Sequence, residues 1–140
     1  MATTREQIIT EAKQIVKKRK NPLLILSLSE INRICSLSLY NSVCDKDNME
    51  ELDVVLQTGG GDIDAAFNIL KILKKSTKKL NIIVPLFAKS AGTLMCLGAD
   101  KLLMTDLSEL GPLDTQIREK DGRVISPVYT ELVGIWEINA

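Results

Sequence analysis

Ser90 lies in "AKSAGTLMCLGAD", residues 88–100, directly after a strand-like run and at the opening of an apolar helix. About 30 residues earlier, Gly59-Gly60-Gly61 end another strand-like run and open another helix. Each turn can do chemistry. A serine at a helix start has an exposed hydroxyl in a field that favours the alkoxide. Free N–H groups at a glycine turn can face a developing negative charge, and the residue after a nucleophile, here Ala91, supplies a second donor. Together they suit acyl transfer. Taken singly, each has a plainer reading: a helix cap for the serine and a tight turn for the glycines. The chain has no histidine, so no side chain with an ordinary titration near neutrality stands ready to take the serine proton.

Other chemistries fit less well. A phosphate-binding loop needs GxxxxGK[ST], whereas the residues are "GGGDIDAA", with Asp62 and Asp64 where a phosphate would sit. A dinucleotide fingerprint fails at its third glycine, where Asp64 stands. Cys35, Cys44 and Cys96 form no CxxC pair. Zinc would need all three and a carboxylate, so reduced core thiols are the expectation. Eighteen basic residues balance eighteen acidic ones and only 4% of residues are aromatic, so no nucleic-acid partner is expected. No apolar run reaches the roughly 20 residues of a membrane span. The start, "MATTREQIITEAKQ", lacks the apolar region of a signal peptide. A cytoplasmic location follows as the default.

The elements that must position these turns are legible from periodicity. Residues 5–19 read as a helix with Ile8, Ile9, Ala12, Ile15 and Val16 on one face and Thr4 as a cap. Its closing "KKRK" suits the negative end of a helix dipole, as a solvated end rather than a recognition patch. Asn21-Pro22 stops it. Strands are expected at 23–29, 52–58, 81–87 and 101–105. Helices are expected at 30–43, 62–76 and 90–99, the last apolar nearly all round and therefore buried. Residues 44–51 read as a polar connection. "GPLDTQI" reads as a turn into an extended piece and "KDG", 120–122, as another turn. Continuous apolar strands alternating with helices predict one α/β domain over residues 1–140, its mostly parallel sheet covered by helices on both faces. Sites in such sheets form beyond the strand C-termini, which puts Gly60 and Ser90 at one edge. The tail, "SPVYTELVGIWEINA", mixes strand and helix character and is expected to belong to a longer chain.

"LDVVLQTGGGDIDAAFNILKILKK" followed by "IIVPLFAKSAGTLMCLGADKLLMTDLSELGPLD" resembles the ClpP/crotonase superfamily, and within it the serine dehydrogenase proteinase branch related to signal peptide peptidase SppA. The resemblance covers about residues 22–118. It implies a serine peptidase-like hydrolase with Ser90 of "KSAG" as nucleophile and the Gly60 and Ala91 amides as oxyanion donors. It implies no cofactor, a peptide or protein substrate, and a homo-oligomer. The departure is the base. ClpP relatives place a histidine roughly 25 residues after the serine, and Leu113, Asp114 and Thr115 occupy that stretch here. SppA-like relatives use a lysine, which must be neutral to act. Lys89, Lys101 and Lys120 are the candidates within this chain, each with a plainer reading as a surface lysine. Asp114 is the acidic residue nearest the missing histidine. Any hydrolysis by these 140 residues is therefore expected to be weak. Two alternatives stay open: a crotonase-like acyl-thioester enzyme with a carboxylate such as Asp114 as base, and a non-catalytic assembly domain of the same fold.

Overall fold

The computed structural model describes residues 5–44, 46 and 48–113, and backbone strands at 117–118 and 124–125. Helix α1 (Arg5–Arg19) leads into β1 (Leu23–Leu28), α2 (Arg33–Val43), β2 (Met49–Thr58), α3 (Ile63–Ser76) and β3 (Thr77–Val84). Then come β4 (Phe87–Ala88), α4 (Ala91–Leu97), β5 (Lys101–Met104) and β6 (Glu109–Leu110). Strands β7 (Ile117–Arg118) and β8 (Val124–Ile125) pair antiparallel on either side of the expected 120–122 turn, which lies outside the described residues. So do Thr4, Asp114, Thr115, Lys120 and the tail from 126.

Every pairing among β1 to β6 is parallel. Residue alternation sorts the two faces of this sheet. Leu52, Val54, Leu56, Leu80, Ile82 and Val84 point to one face, in a buried cluster with Leu39 of α2, Ile69 and Leu73 of α3 and Met95 of α4. Helix α1 lies on the other face, where Ile9, Ala12 and Val16 meet Leu23 and Ile25. The α/β sheet with helices on both faces is the predicted class.

Two boundaries moved, for identifiable reasons. The strand expected at 81–87 starts at Thr77 and breaks at Pro85-Leu86. Its lysines resemble a helix end in sequence, but Lys78 pairs with Glu50 and Lys79 with Glu51 across β2. These cross-strand pairs also draw Met49 to Glu51 out of the expected connection and into β2. At the break the register jumps: Val55 faces Ile83, but Thr58 faces Ala88, two residues beyond an unbroken register. Proline lacks the N–H a ladder needs, so the lane kinks there and resumes as β4. Its neighbour copies the kink, β5 pairing β3 and β6 pairing β4. No element was expected at β6, which lies between the expected strand at 101–105 and the "GPLDTQI" turn.

Helix α2 starts later than expected because Asn32 caps it, accepting from the Cys35 N–H at 3.1 Å. Ile31 instead pairs with the glycine turn, its N–H donating to the Gly60 carbonyl at 2.7 Å. Helix α4 is buried through Ala91, Gly92, Thr93, Met95 and Cys96, but Leu97 is 66% exposed, so one side of it faces out.

Candidate active site

Strands β2 and β4 are adjacent, so their C-terminal turns meet. Thr58 pairs with Ala88, and the Lys89 N–H donates to the Thr58 carbonyl at 3.0 Å. Gly60 follows one strand and Ser90 the other. A Cβ added at Gly60 would stand 2.8 Å from Ser90 Cβ, 2.9 Å from the Lys89 carbonyl oxygen and 3.4 Å from Ser90 Oγ. The structure therefore brings the two expected residues into contact.

Ser90 does not behave as a cap. Asn32 and Asp62, which open α2 and α3, each accept a helix N–H through the side chain. Ser90 opens α4 and its side chain makes no capping hydrogen bond. Its backbone sits at φ 48° and ψ −119°, a region that costs a side-chain-bearing residue roughly 1–3 kcal/mol and persists only where surroundings impose it. The turn is fixed by Gly92 N–H on the Lys89 carbonyl (2.8 Å) and Thr93 N–H on the Ser90 carbonyl (2.8 Å). Thr93 Oγ1 reaches back to the Ala88 carbonyl at 2.7 Å. This strained strand-to-helix turn presents the half-buried hydroxyl toward Gly60 rather than along its own helix.

The glycines of the two turns have physical reasons. Gly60 and Gly61 have φ of 105° and 138°, which disfavour any side chain. A Cβ at Gly61 would also strike the Ile31 carbonyl at 2.3 Å. Gly92 lets α4 approach Thr58, whose Cγ2 would lie 2.4 Å from an added Cβ. The Thr58 hydroxyl accepts the Gly60 N–H at 3.1 Å. Thr58, 1% exposed, is thus the second support of the site; its sequence signal was only its place as last residue of a strand. Ala91 opens α4, so its N–H is among those a helix leaves without an intrahelical acceptor.

The expected lysines are elsewhere. Lys89 turns to Glu109, 2.6 Å away, and that hydrogen bond and charge hold the Glu109 carboxyl below its ordinary range. Lys101 opens β5 and pairs in register with Asn81 on the body of β3, away from the strand ends. Lys120 and Asp114 lie outside the described residues. The thiols do not converge: Cys44 is exposed and Cys96 buried, and burial pushes Cys96 up to about 11, so it stays a protonated thiol. Among the described residues no three His, Cys, Asp or Glu side chains are grouped to hold a metal ion. No helix among them is long and apolar enough to cross a membrane.

Helices α3 and α4 flank a mostly apolar groove of about 330 Å³ lined by Ile63, Ala66, Phe67, Leu70, Leu94 and Met95, with the carboxylate-bearing Asp64 also at its lining. Ile63 follows the glycine turn by two residues, and the Leu94 N–H donates to the Ser90 carbonyl at 3.3 Å.

Comparison with known proteins identifies the family and the fold. The family model described as ClpP-like SDH-type serine proteinase matches residues 36–132. Two uncharacterized Methanocaldococcus jannaschii proteins are similar. MJ0137 is 42% identical over 66 residues, 47% of this chain and 23% of its own length. MJ1495 is 33% identical over 78 residues, 56% of this chain and 27% of its own length. The matched stretch is thus about a quarter of each relative. Among solved structures, the membrane-bound stomatin-specific protease 1510-N, in complex with a substrate peptide, superposes with a TM-score of 0.57 at 22% identity. The superposition covers 81% of this chain and 56% of that one, and it is a likeness of fold.

Proposed function

The chain belongs to the family of ClpP-like SDH-type serine proteinases, and from that premise we propose that it hydrolyses peptide bonds through an acyl-enzyme formed on Ser90. The observation that carries this reading is the Ser90 turn: a non-capping hydroxyl held at positive φ against the Gly60 backbone. Ser90 Oγ attacks the scissile carbonyl carbon. The carbonyl electron pair moves to oxygen, and the Gly60 and Ala91 N–H groups hold that oxyanion. In this role the substrate oxygen replaces the Thr58 hydroxyl as the acceptor of the Gly60 N–H. Collapse of the tetrahedral species expels the amine, which carries off the proton that Ser90 Oγ gave up on attack, relayed by solvent water, and a second water then releases the acyl group as a carboxylic acid and returns a proton to Ser90 Oγ. The groove between α3 and α4 suits an apolar substrate side chain.

The test is a fluorophosphonate probe, applied at pH 6 to 10 and read by peptide mass mapping. The serine hydroxyl displaces fluoride at phosphorus, so the adduct should fall on the peptide containing Ser90. Labelling should be slow at neutrality, because Lys89 is committed to Glu109 and no histidine exists to accept the proton. An adduct on any other serine would refute the assignment.

The chain should also self-associate. Helix α2 turns Ile34, Leu37 and Tyr40 outward at 72%, 57% and 54% exposure, an apolar strip of the kind that marks contact surfaces. Light scattering at tens of micromolar should give more than one chain per particle, and Leu37→Glu with Tyr40→Glu should lower that mass. A monomer for the unsubstituted chain would contradict this expectation.

A further inference from the structure

The glycine turn is pinned on both sides of one peptide bond. Before it, the Thr58 carbonyl accepts the Lys89 N–H at 3.0 Å. After it, the Gly60 carbonyl accepts the Ile31 N–H at 2.7 Å, and the Asp62 N–H donates to the Ile31 carbonyl at 2.9 Å. Among the described residues, the Gly59–Gly60 peptide between these anchors makes one hydrogen bond, from the Gly60 N–H to Thr58 Oγ1 at 3.1 Å. A glycine stands on each side of that peptide. Without a Cβ, both residues reach backbone torsions closed to others, so the peptide plane can turn while its anchors stay fixed.

Thr58 holds its side of the contact rigidly. The side chain is buried. Its Cγ2 is seated against Gly92, where an added Cβ would lie only 2.4 Å away. A β-branched side chain has few χ1 choices, and fixing Cγ2 fixes Oγ1 with it. The contact therefore opens by movement of the Gly60 N–H rather than of the hydroxyl.

We propose that Thr58 is a positioning residue that latches the Gly60 N–H at rest and yields it only to a negatively charged oxygen. The inference rests on the acyl-transfer reading of Ser90. A substrate carbonyl is a neutral acceptor, as the threonine hydroxyl is, so exchanging one for the other gains little. An oxyanion is a charged acceptor, and hydrogen bonds to it are roughly twice as strong. The Gly60 N–H thus passes to the substrate as charge develops on its oxygen. Its stabilisation then falls on the transition state and not on the bound substrate. The same latch slows acylation, because the bond to Thr58 must break first. Valine at position 58 would keep the branched shape against Gly92 and offer no acceptor.

The experiment compares the full chain with its Thr58→Val and Thr58→Ser variants in two readouts. The first is the rate at which a fluorophosphonate adduct forms on the Ser90 peptide in alkaline buffer. Thr58→Val should label about three- to tenfold faster, the worth of one ordinary hydrogen bond released. Thr58→Ser, which keeps the hydroxyl, should label at the parent rate. The second readout is hydrogen exchange of the Gly60 amide by NMR, which needs no activity. That amide should be protected in the parent and in Thr58→Ser, and should exchange about three- to tenfold faster in Thr58→Val. Circular dichroism spectra matching the parent's confirm that the variants fold. Labelling of Ser90 in folded Thr58→Val at or below the parent rate would overturn the latch while leaving Ser90 as nucleophile. So would a Gly60 amide that in the parent exchanges as fast as one without a hydrogen bond, a result that depends on neither variant. No adduct on Ser90 in any of the three chains would instead refute the acyl-transfer reading, and the latch with it.

Discussion

Gly60→Ala should slow fluorophosphonate labelling at least about a hundredfold, and Ser90→Ala should abolish it. Ser90→Ala deletes the nucleophile and leaves nothing to label. Gly60→Ala leaves the nucleophile in place but puts a methyl 2.8 Å from Ser90 Cβ and 2.9 Å from the Lys89 carbonyl. Both neighbours belong to the short turn that aims the hydroxyl, and neither is the free end of a flexible side chain, so the turn itself must move. The substitution also forces a side chain onto a φ of 105°. Loss or misplacement of one oxyanion donor costs about a hundred- to a thousandfold in rate. A drop of at least about a hundredfold in the labelling rate is therefore expected, measured near pH 9, where the unsubstituted chain should label well. A circular dichroism spectrum matching that of the unsubstituted chain is the control for folding. Labelling of Gly60→Ala at the unsubstituted rate would mean that the contact between the two turns has no catalytic purpose.

Much of this site was legible because its parts follow from local rules. Strand C-termini in a parallel sheet share an edge, so two strand–turn–helix units close in sequence foretold the meeting of Gly60 and Ser90. The patterning of 52–58 and 62–76 was equally local, a continuous apolar run followed by helical spacing. What escaped was set by tertiary partners. Lys78 and Lys79 fell between the expected helix and strand, and only Glu50 and Glu51 across the sheet show that they belong to β3. Pro85 sits inside an apolar run, and only the change of register shows that it kinks the lane and creates β4 and β6. Thr58 had no signal apart from its place in β2; its role depends on Gly60 and Gly92 both packing on one small side chain. The serine's departure from capping was invisible for the same reason, since it is a matter of one torsion angle.

Arg19→Met should destabilise the chain by about 3 kcal/mol, the lower end of what breaking a buried ion pair costs when one charge is left behind. The charge left behind is Asp53, whose side chain is 1% exposed in the body of β2. Burial alone would raise its pKa. The hydrogen bonds from Arg19, Asn81 and Asn21, with the Arg19 charge, outweigh burial and hold it below the ordinary carboxylate value. Arg19 Nη2 lies 3.0 Å from one oxygen, which also accepts from Asn81 at 2.8 Å and Asn21 at 3.2 Å, while Arg19 Nε binds the other. Methionine keeps the stem packing but removes the charge and both guanidinium bonds. Arg19 is itself 29% exposed, so solvent softens the loss, and a melting temperature lower by about 10 °C is the expected size. The sign with pH follows from linkage. A depressed carboxylate pKa stabilises the fold fully above the unfolded value of 3.8 and ceases to do so as pH falls through the lower folded value. Without Arg19 its hydrogen bonds and charge no longer lower the Asp53 pKa, so the parent's advantage over the variant is lost as Asp53 protonates in acid. The gap between the two melting temperatures should therefore be widest at neutral pH and narrow below about pH 4. Adding Asp53→Asn to Arg19→Met should recover part of the loss, because the stranded charge is then gone. A single variant that melts within about 2 °C of the parent at pH 7, or a gap that widens in acid, would show that α1 is not clasped to the sheet by this pair.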